Sequence, residues 1–232
     1  MAAYRVVLFD ADGTLLDFRQ AEERALAEAF HSTGINYQIQ SHLPIYREQN
    51  ARIWQEYEQG LLTSEQMRVE RFRRFLSAIG VDADPDLFGS SYLRFLAQGE
   101  QMITGAQAMV EKLSGLVRMS VITNGLSDVQ RSRFKRSPLT PYFDSIIISE
   151  EVGARKPEPR IFDAAMQSYR EVDRSEVLMV GDSLSSDIAG GNSAGMHTCW
   201  FNPDGAVREE LQERPTYEIR ELSELANLLH RE

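Results

Sequence analysis

Short runs of mainly hydrophobic residues alternate with amphipathic stretches along much of this chain. The first run, Tyr4 to Phe9, has five apolar or aromatic residues in six, and Val6 to Phe9 contains no polar residue. Such a run predicts a strand buried on both faces of a parallel sheet. Four later runs predict four more strands. These are Met119 to Ile122, Ile146 to Ile148, Val177 to Val180 and His197 to Phe201.

The segments between the later strands have apolar residues at helical spacing. This spacing predicts helices over 106–116, 127–136 and 159–169, and a shorter helix that ends near Gly195. Strands that alternate with helices in this way are joined by right-handed crossovers and form a parallel sheet with helices on both faces. The expected fold class is therefore α/β, with a Rossmann-like core of three layers.

A long helical region interrupts this alternation directly after the first strand. Residues 18–98 carry several amphipathic segments, one of which opens on the capping box that starts at Thr63. We expect 18–98 to form an all-helical insert, and residues 1–17 and 99–232 to form the α/β core. The interior of the insert should contain Phe30, Ile53 and Leu76.

Composition and charge exclude several classes of function. The chain has 232 residues, a net charge of −10 and a pI near 5.0, which argues against a nucleic-acid-binding surface or an anionic-membrane surface. The single cysteine, Cys199, excludes an internal disulfide and a multi-cysteine metal site, and its apolar surroundings predict a buried thiol.

The sequence also offers no membrane or export signal. The opening residues MAAYRVV lack an apolar stretch of signal-peptide length, and no apolar run reaches the roughly 18 residues of a transmembrane helix. We therefore expect a cytoplasmic protein, either a monomer or a homodimer.

Two carboxylates lie where the first strand should end. Asp10 and Asp12 are one residue apart, and Gly13 allows the chain to turn sharply away from the sheet. Two acids so close repel each other unless a cation or a shared proton compensates, whereas an ordinary helix cap needs only one acid. In open α/β sheets this carboxyl edge is also where ligands bind.

Polar groups follow two other strands in the same way. Thr123-Asn124-Gly125 comes after the second strand and Gly181-Asp182-Ser183 after the fourth, so a parallel sheet would bring both to the edge that carries Asp10. Lys156, one of only three lysines, precedes a proline-rich helix start. Taken alone, these segments could equally be a turn, a helix cap and a solvated lysine.

The run Asp10-Ala11-Asp12-Gly13-Thr14 resembles the DxDGT signature of the haloacid dehalogenase superfamily of phosphohydrolases, and the later segments resemble its other motifs in the same order. Flanking segments such as GLLTSEQMRVERF and IIISEEVGARKPEPRIFDAA are similar to the bacterial pyrimidine nucleotidases of that superfamily. The resemblance covers nearly the whole chain. It implies that the helical insert is a cap that closes over the active site.

The resemblance also implies roles for individual residues. Asp10 would be the nucleophile and Asp12 the general acid and base. Mg²⁺ would be held by Asp10, the backbone carbonyl of Asp12 and Asp182. The substrate phosphate would be bound by Thr123, Asn124, Gly125 and Lys156, with Arg155 as a weaker candidate. Asp187 and Ser183 would lie just outside the metal ligands, with Asp187 orienting them or holding a metal-bound water.

The expected function is a Mg²⁺-dependent phosphomonoesterase that acts through an aspartyl phosphate on pyrimidine nucleoside monophosphates. Phosphatase or phosphomutase activity on another small sugar phosphate is the nearest alternative, because the same motifs serve both reactions. A phosphoacceptor signalling module is an alternative of a different class, because receiver domains also combine acids, a threonine and a lysine around Mg²⁺. Multiple turnover would distinguish an enzyme from such a module.

Overall fold

The computed structural model describes residues 4–206 and 214–229. The chain divides into two compact units. The first unit comprises Met1–Phe18, Glu100–Gln130 and Phe134–Glu232, and the second comprises Arg19–Gly99 and Arg131–Arg133. The sequence predicts a helical insert over 18–98, and the second unit also takes in Arg131–Arg133. The assignment of that insert as a cap domain stays a prediction.

The first unit is built on a six-stranded sheet whose paired strands are all parallel. The strands are β1 (Val6–Phe9), β2 (Arg118–Thr123), β3 (Ser145–Ile148), β4 (Val177–Gly181), β5 (His197–Phe201) and β6 (Tyr217–Ile219). Their spatial order is β3-β2-β1-β4-β5-β6, so β1 lies at the centre between β2 and β4. This confirms the α/β fold class.

The described part of the second unit is helical. Its helices are α1 (Phe18–Thr33), α2 (Ile39–Glu58), α3 (Ser64–Ala78) and α4 (Pro85–Leu96). Phe30, Ile53 and Leu76 are buried as expected, in a core rich in aromatic rings. The capping box at Thr63 is formed, because Thr63 and Gln66 each accept a hydrogen bond from the other's backbone N–H.

Helices of the first unit cover both faces of its sheet. They are α5 (Ala106–Leu113), α6 (Ser127–Arg136), α7 (Ser149–Val152), α8 (Pro159–Met166), α9 (Ala189–Ser193) and α10 (Leu225–Leu229). Strand β1 shows the layering, since Val7 and Phe9 pack on the side of α5 and α10, whereas Val6 and Leu8 pack on the side of α8. Because successive side chains of a strand alternate between faces, a strand with helices on both sides must be apolar throughout.

Several boundaries differ from those expected. The third strand was expected to be buried, but β3 is an edge strand and Ser145, Ile146 and Ile147 are only half-buried. Strand β6 was not expected at all. Helix α5 ends at Leu113, ahead of the loop that contains Gly115, and α8 ends at Met166 with a 3₁₀ turn after it.

The strand order fixes where a site can form. The chain passes from β1 to β2 on one side of the sheet centre and reaches β4 on the other side, which creates the switch point at which ligands bind in open α/β sheets. The residues that follow β1, β2 and β4 therefore converge. Among the described residues, no helix is long and apolar enough to cross a membrane.

Candidate active site

Asp10 follows β1 directly and lies in the interior of the first unit. Its backbone N–H donates to the carbonyl of Val180 at 2.9 Å, which continues the ladder between β1 and β4 by one residue. The chain then turns at Gly13, whose φ of +88° favours glycine. A Cβ at Gly13 would lie 2.5 Å from Oδ2 of Asp182, so this turn also needs a residue without a side chain.

Lys156 links the central carboxylates. Its side chain is buried, and Nζ donates to Oδ1 of Asp10 at 2.5 Å and to Oδ1 of Asp187 at 2.7 Å. A lysine is almost never buried unless its charge is paired, and these two ion pairs supply the pairing. One ammonium therefore holds two carboxylates that approach from the ends of β1 and β4.

The position of Lys156 is set by Asn124, which follows β2. The side-chain amide of Asn124 donates from Nδ2 to the carbonyl of Lys156 at 2.9 Å, and its Oδ1 accepts from the Lys156 N–H at 2.8 Å. This two-point contact ties the loop before α8 to the end of β2. The amide of Asn124, expected on the substrate phosphate, is thus engaged with the lysine backbone.

Three carboxylates come together at this edge of the sheet. One oxygen each from Asp10, Asp182 and Asp187 lies within 4.8 Å of the other two. Both oxygens of Asp187 already accept hydrogen bonds, Oδ1 from Lys156 and Oδ2 from the N–H of Ser183 at 3.0 Å. The backbone carbonyl of Asp182 accepts from Nε1 of Trp200 at 2.9 Å, so a β5 residue anchors the segment after β4.

The pKa values of Asp10, Lys156 and Asp182 are all raised in this cluster. Burial raises the pKa of Asp10 well above its ordinary value; Lys156 opposes this shift, and Asp187 and Asp182 add to it. Burial would lower the pKa of Lys156, but Asp10 and Asp187 outweigh burial and raise it. With three carboxylates and one ammonium, the cluster as a whole therefore has an excess of negative charge.

Asp182 shows the same excess of negative charge. Burial of the carboxylate and repulsion by Asp187 raise its pKa to about 7, although Asp182 as a whole residue is exposed. The two observations are compatible because the carboxylate lies over the backbone of Gly13, which removes water from it locally.

Asp12 and Thr123 share one hydrogen-bond partner. Gln130 of α6 donates from Nε2 to Oδ2 of Asp12 at 2.5 Å, and the same nitrogen lies 3.3 Å from Oγ1 of Thr123. Oγ1 of Thr123 also accepts from the N–H of Gly125 at 3.0 Å. The buried amide of Gln130 thus contacts both the carboxyl group of Asp12 and the hydroxyl of Thr123.

The structure brings together the residues that the sequence singles out. Lys156 pairs with Asp10 and Asp187, and one oxygen each from Asp10, Asp182 and Asp187 lies within 4.8 Å of the other two. The Asn124 side chain bonds to the Lys156 backbone, and the Ser183 backbone N–H donates to Asp187. Arg155 is turned toward Glu158, with Nε 3.2 Å from Oε1. The functional assignments of these residues stay predictions.

Two site residues escape the sequence reasoning, Gln130 and Trp200. The signal for Gln130 is its spacing, because it lies midway between the buried residues Leu126 and Phe134 at intervals of four. A polar residue on the buried stripe of a helix asks for a partner. For Trp200 the pattern gives no signal, since an aromatic residue in a strand is ordinary core composition.

Comparison with known proteins gives a consistent result. Residues 4–195 match the family described as haloacid dehalogenase-like hydrolase. The chain is 37% identical to the putative HAD-hydrolase YfnB of Bacillus subtilis over 99% of this chain and 97% of that protein. It is 33% identical to the pyrimidine 5'-nucleotidase PynA of Streptococcus pneumoniae, over 97% and 95%. It is 35% identical to the pyrimidine 5'-nucleotidase YjjG of Escherichia coli, over 96% of each.

The fold agrees with a solved structure as well. The orthorhombic crystal form of YfnB, which is bound to magnesium, superposes with a TM-score of 0.92 at 36% identity and covers 98% of this chain and 99% of that one.

Proposed function

This chain belongs to the haloacid dehalogenase-like hydrolase family, and we propose that it is a Mg²⁺-dependent phosphomonoesterase that acts on pyrimidine nucleoside monophosphates. The two relatives named pyrimidine 5'-nucleotidases, at 33% and 35% identity over nearly the full chain, support the substrate class. The observation that carries the reaction class is the buried Asp10 carboxylate, held by Lys156 at the switch point of the sheet.

The carboxylate cluster fits a hard divalent cation. Three carboxylates against one ammonium leave an excess of negative charge, and carboxylate oxygens are the ligands that Mg²⁺ prefers. We propose that Asp10, Asp182 and the backbone carbonyl of Asp12 hold the ion. Asp187, whose two oxygens are already bonded to Lys156 and Ser183, would orient the site from outside. The bound ion would supply charge neutralisation for the phosphoryl oxygens.

In the first half of the proposed reaction, Asp10 attacks the phosphorus atom. A bond forms between a carboxylate oxygen and phosphorus, the ester P–O bond breaks, and the leaving alkoxide takes a proton from Asp12. The ammonium of Lys156 and the hydroxyl of Thr123 offer donors to the charge that develops on the phosphoryl oxygens. Products of this half are the free alcohol and the phosphorylated Asp10.

The second half restores the enzyme. Asp12, now ionised, takes a proton from a water molecule as that water attacks phosphorus, and the bond between phosphorus and Asp10 breaks. Inorganic phosphate leaves, Asp10 is a carboxylate again and Asp12 is protonated. Splitting the hydrolysis in this way is one route to the barrier reduction of roughly 20 kcal/mol or more that phosphate monoesters require.

The test is release of phosphate at fixed Mg²⁺ from pyrimidine monophosphates, purine monophosphates and sugar phosphates. We expect multiple turnover with preference for pyrimidines and loss of activity in EDTA. Preference for a sugar phosphate would keep the reaction and contradict the substrate class. At most one phosphate per chain would instead indicate a phosphoacceptor module and contradict the enzyme.

Asp10→Asn tests the covalent step. It should preserve the fold and lower turnover on the order of 10⁴-fold or more, as loss of a nucleophile does in other hydrolases. The matched control is Asp163→Asn, which makes the same change in an ion pair with Arg174 on the surface of α8. Near-normal turnover by Asp10→Asn would contradict the assignment of the nucleophile.

A further inference from the structure

Gln130 has a buried side-chain amide that takes no part in the bond-making and bond-breaking steps of the proposed reaction. It lies on α6 with no exposed surface, and it contacts residues at the ends of two different strands. Its Nε2 donates to Oδ2 of Asp12 at 2.5 Å and lies 3.3 Å from Oγ1 of Thr123. One side chain therefore connects the acid that follows β1 to the hydroxyl of the last residue of β2.

The contact to Thr123 has a consequence for the direction of its hydroxyl hydrogen. A hydroxyl oxygen has two acceptor positions and one hydrogen to donate. Oγ1 of Thr123 accepts from the N–H of Gly125 and from Gln130, which occupies both acceptor positions. The hydrogen of Thr123 is thereby left to be donated to an acceptor such as a phosphoryl oxygen.

The amide of Gln130 is held in one orientation. Rotation by 180° would place Oε1 against the carboxylate of Asp12, so two acceptors would face each other. In the observed orientation Oε1 is a buried acceptor without a partner among the described residues. A buried acceptor left unpaired is unfavourable, so the contacts made by Nε2 must compensate for it.

The neighbouring backbone leaves room for this amide. A Cβ at Gly125 would overlap the amide group of Gln130. The glycine of the Thr123-Asn124-Gly125 segment is therefore explained by the space that Gln130 occupies. Neither Gln130 nor Gly125 needs to touch a substrate for this arrangement to matter.

We propose that Gln130 is a positioning residue that aims the carboxyl group of Asp12 at the leaving-group oxygen and the hydroxyl of Thr123 at the phosphoryl group. This rests on the proposed phosphomonoesterase function. In the first half-reaction the proton moves from Asp12 to the ester oxygen while the P–O bond breaks, and Gln130 itself exchanges no proton. Its contribution is greatest for a leaving group that needs that proton.

The variant Gln130→Met tests this, because methionine has nearly the same length and no N–H group. The readout is kcat/KM for benzyl phosphate, whose alkoxide needs a proton, and for 4-nitrophenyl phosphate, whose phenolate leaves without one. This parameter reports the steps up to release of the leaving group. We expect kcat/KM to fall on the order of 100-fold for benzyl phosphate and on the order of tenfold or less for 4-nitrophenyl phosphate.

Matched variants separate positioning from stability. Ser120→Ala removes a buried hydrogen-bonding group of β2 that contacts Ser145 and Tyr169. It should leave unchanged the ratio of kcat/KM for benzyl phosphate to kcat/KM for 4-nitrophenyl phosphate. Gln130→Leu also removes the N–H group and should lower this ratio as Gln130→Met does. It also serves as the test if Gln130→Met fails to fold.

The outcomes distinguish two kinds of failure. In an active and folded Gln130 variant, equal losses on both substrates would overturn the positioning of Asp12, and no loss on either would overturn the whole positioning role. Both results leave the proposed function intact. Absence of turnover by the unmodified protein on nucleotides and on both probes would overturn the proposed function and this inference with it. A selective loss on benzyl phosphate supports the inference.

Discussion

At the scale of single residues, the site is defined by a charge imbalance. The cluster holds three carboxylates and the single ammonium of Lys156, which pairs with Asp10 and Asp187. Burial and repulsion by Asp187 raise the pKa of Asp182 to about 7. A carboxyl group whose pKa is raised by folding binds protons more tightly in the native state than in the unfolded state. Its ionisation therefore destabilises the native protein as pH rises from about 4 to about 7.

This predicts a pH-dependent effect of Asp182→Asn on the metal-free protein. The variant and the unmodified protein should differ least in melting temperature near pH 4, where Asp182 is protonated in the native state and ionised only in part in the unfolded state. As pH rises through 7 the variant should become the more stable, by roughly 2–5 °C at pH 8, because asparagine carries no charge. Thermal unfolding in EDTA across pH 4–8 measures the difference.

Added Mg²⁺ is the control for this prediction. Saturating Mg²⁺ should reverse the order at pH 8, since the cation compensates the charge of Asp182 and loses a ligand in the variant. Asp163→Asn, on the surface of α8, should show no pH-dependent difference. A constant offset between Asp182→Asn and the unmodified protein at every pH would contradict the raised pKa.

The sequence anticipated the charged residues of this cluster better than the residues that hold them. Asp10, Asp182 and Lys156 belong to short motifs that can be recognised locally. Gln130 meets Asp12 across 118 positions of the chain, and the indole N–H of Trp200 reaches the Asp182 carbonyl from the neighbouring strand. Such contacts depend on the packing of elements, which local patterns of residue type do not contain.

At the scale of elements, the contact between α3 and α4 depends on one glycine. Gly89 lies inside α4, where glycine normally weakens a helix by about 1 kcal/mol relative to alanine. A Cβ at this position would lie 2.7 Å and 3.1 Å from ring atoms of Phe72 on α3. Phe72 cannot move away easily, because it is fully buried against the rings of Tyr46 and Tyr92.

We therefore expect Gly89→Ala to destabilise the protein by about 1–3 kcal/mol, the usual cost of overpacking a well-filled core, despite the better helix propensity of alanine. The matched control is Ser90→Ala, at the adjacent exposed position of the same helix, which should be neutral or stabilising by up to ~0.5 kcal/mol. Chemical denaturation of both variants measures the difference. Stabilisation by Gly89→Ala would show that α3 and α4 do not approach this closely.

Elements with a strong hydrophobic signal were predicted well, and weak ones were not. β1 and β4 are central strands buried on both faces, and their continuous apolar runs identify them. β6 has three residues, Tyr217–Ile219, and lies beside β5 at the edge of the sheet, so its sequence carries little pattern. β3 has an apolar sequence typical of a central strand, and its place at the edge follows from the strand order.

At the scale of the whole molecule, the residues of the candidate site described above lie in the first of the two compact units. The three clustered carboxylates, Lys156 and Gln130 all belong to the first unit, whereas the second unit contributes a helical core of its own. With a net charge of −10, the chain has no broad attraction for anions, so a phosphorylated substrate must rely on local donors. Binding of a cation should therefore be an event of the first unit.

Hydrogen exchange with and without Mg²⁺ tests this division on the intact protein. At a Mg²⁺ concentration about 100 times its Kd, the bound state gains about 2.7 kcal/mol against any opening that releases the ion. Protection should therefore rise in segments that contain Asp10–Gly13 and Gly181–Asp187, which include the proposed ligands. Amides inside α2 and α3 of the second unit should exchange at unchanged rates, because unfolding those helices releases no ligand.

The same measurement on Asp182→Asn should show little effect of Mg²⁺ anywhere. Protection that appears in α2 and α3 and not after β1 and β4 would place the cation elsewhere and contradict the ligand set.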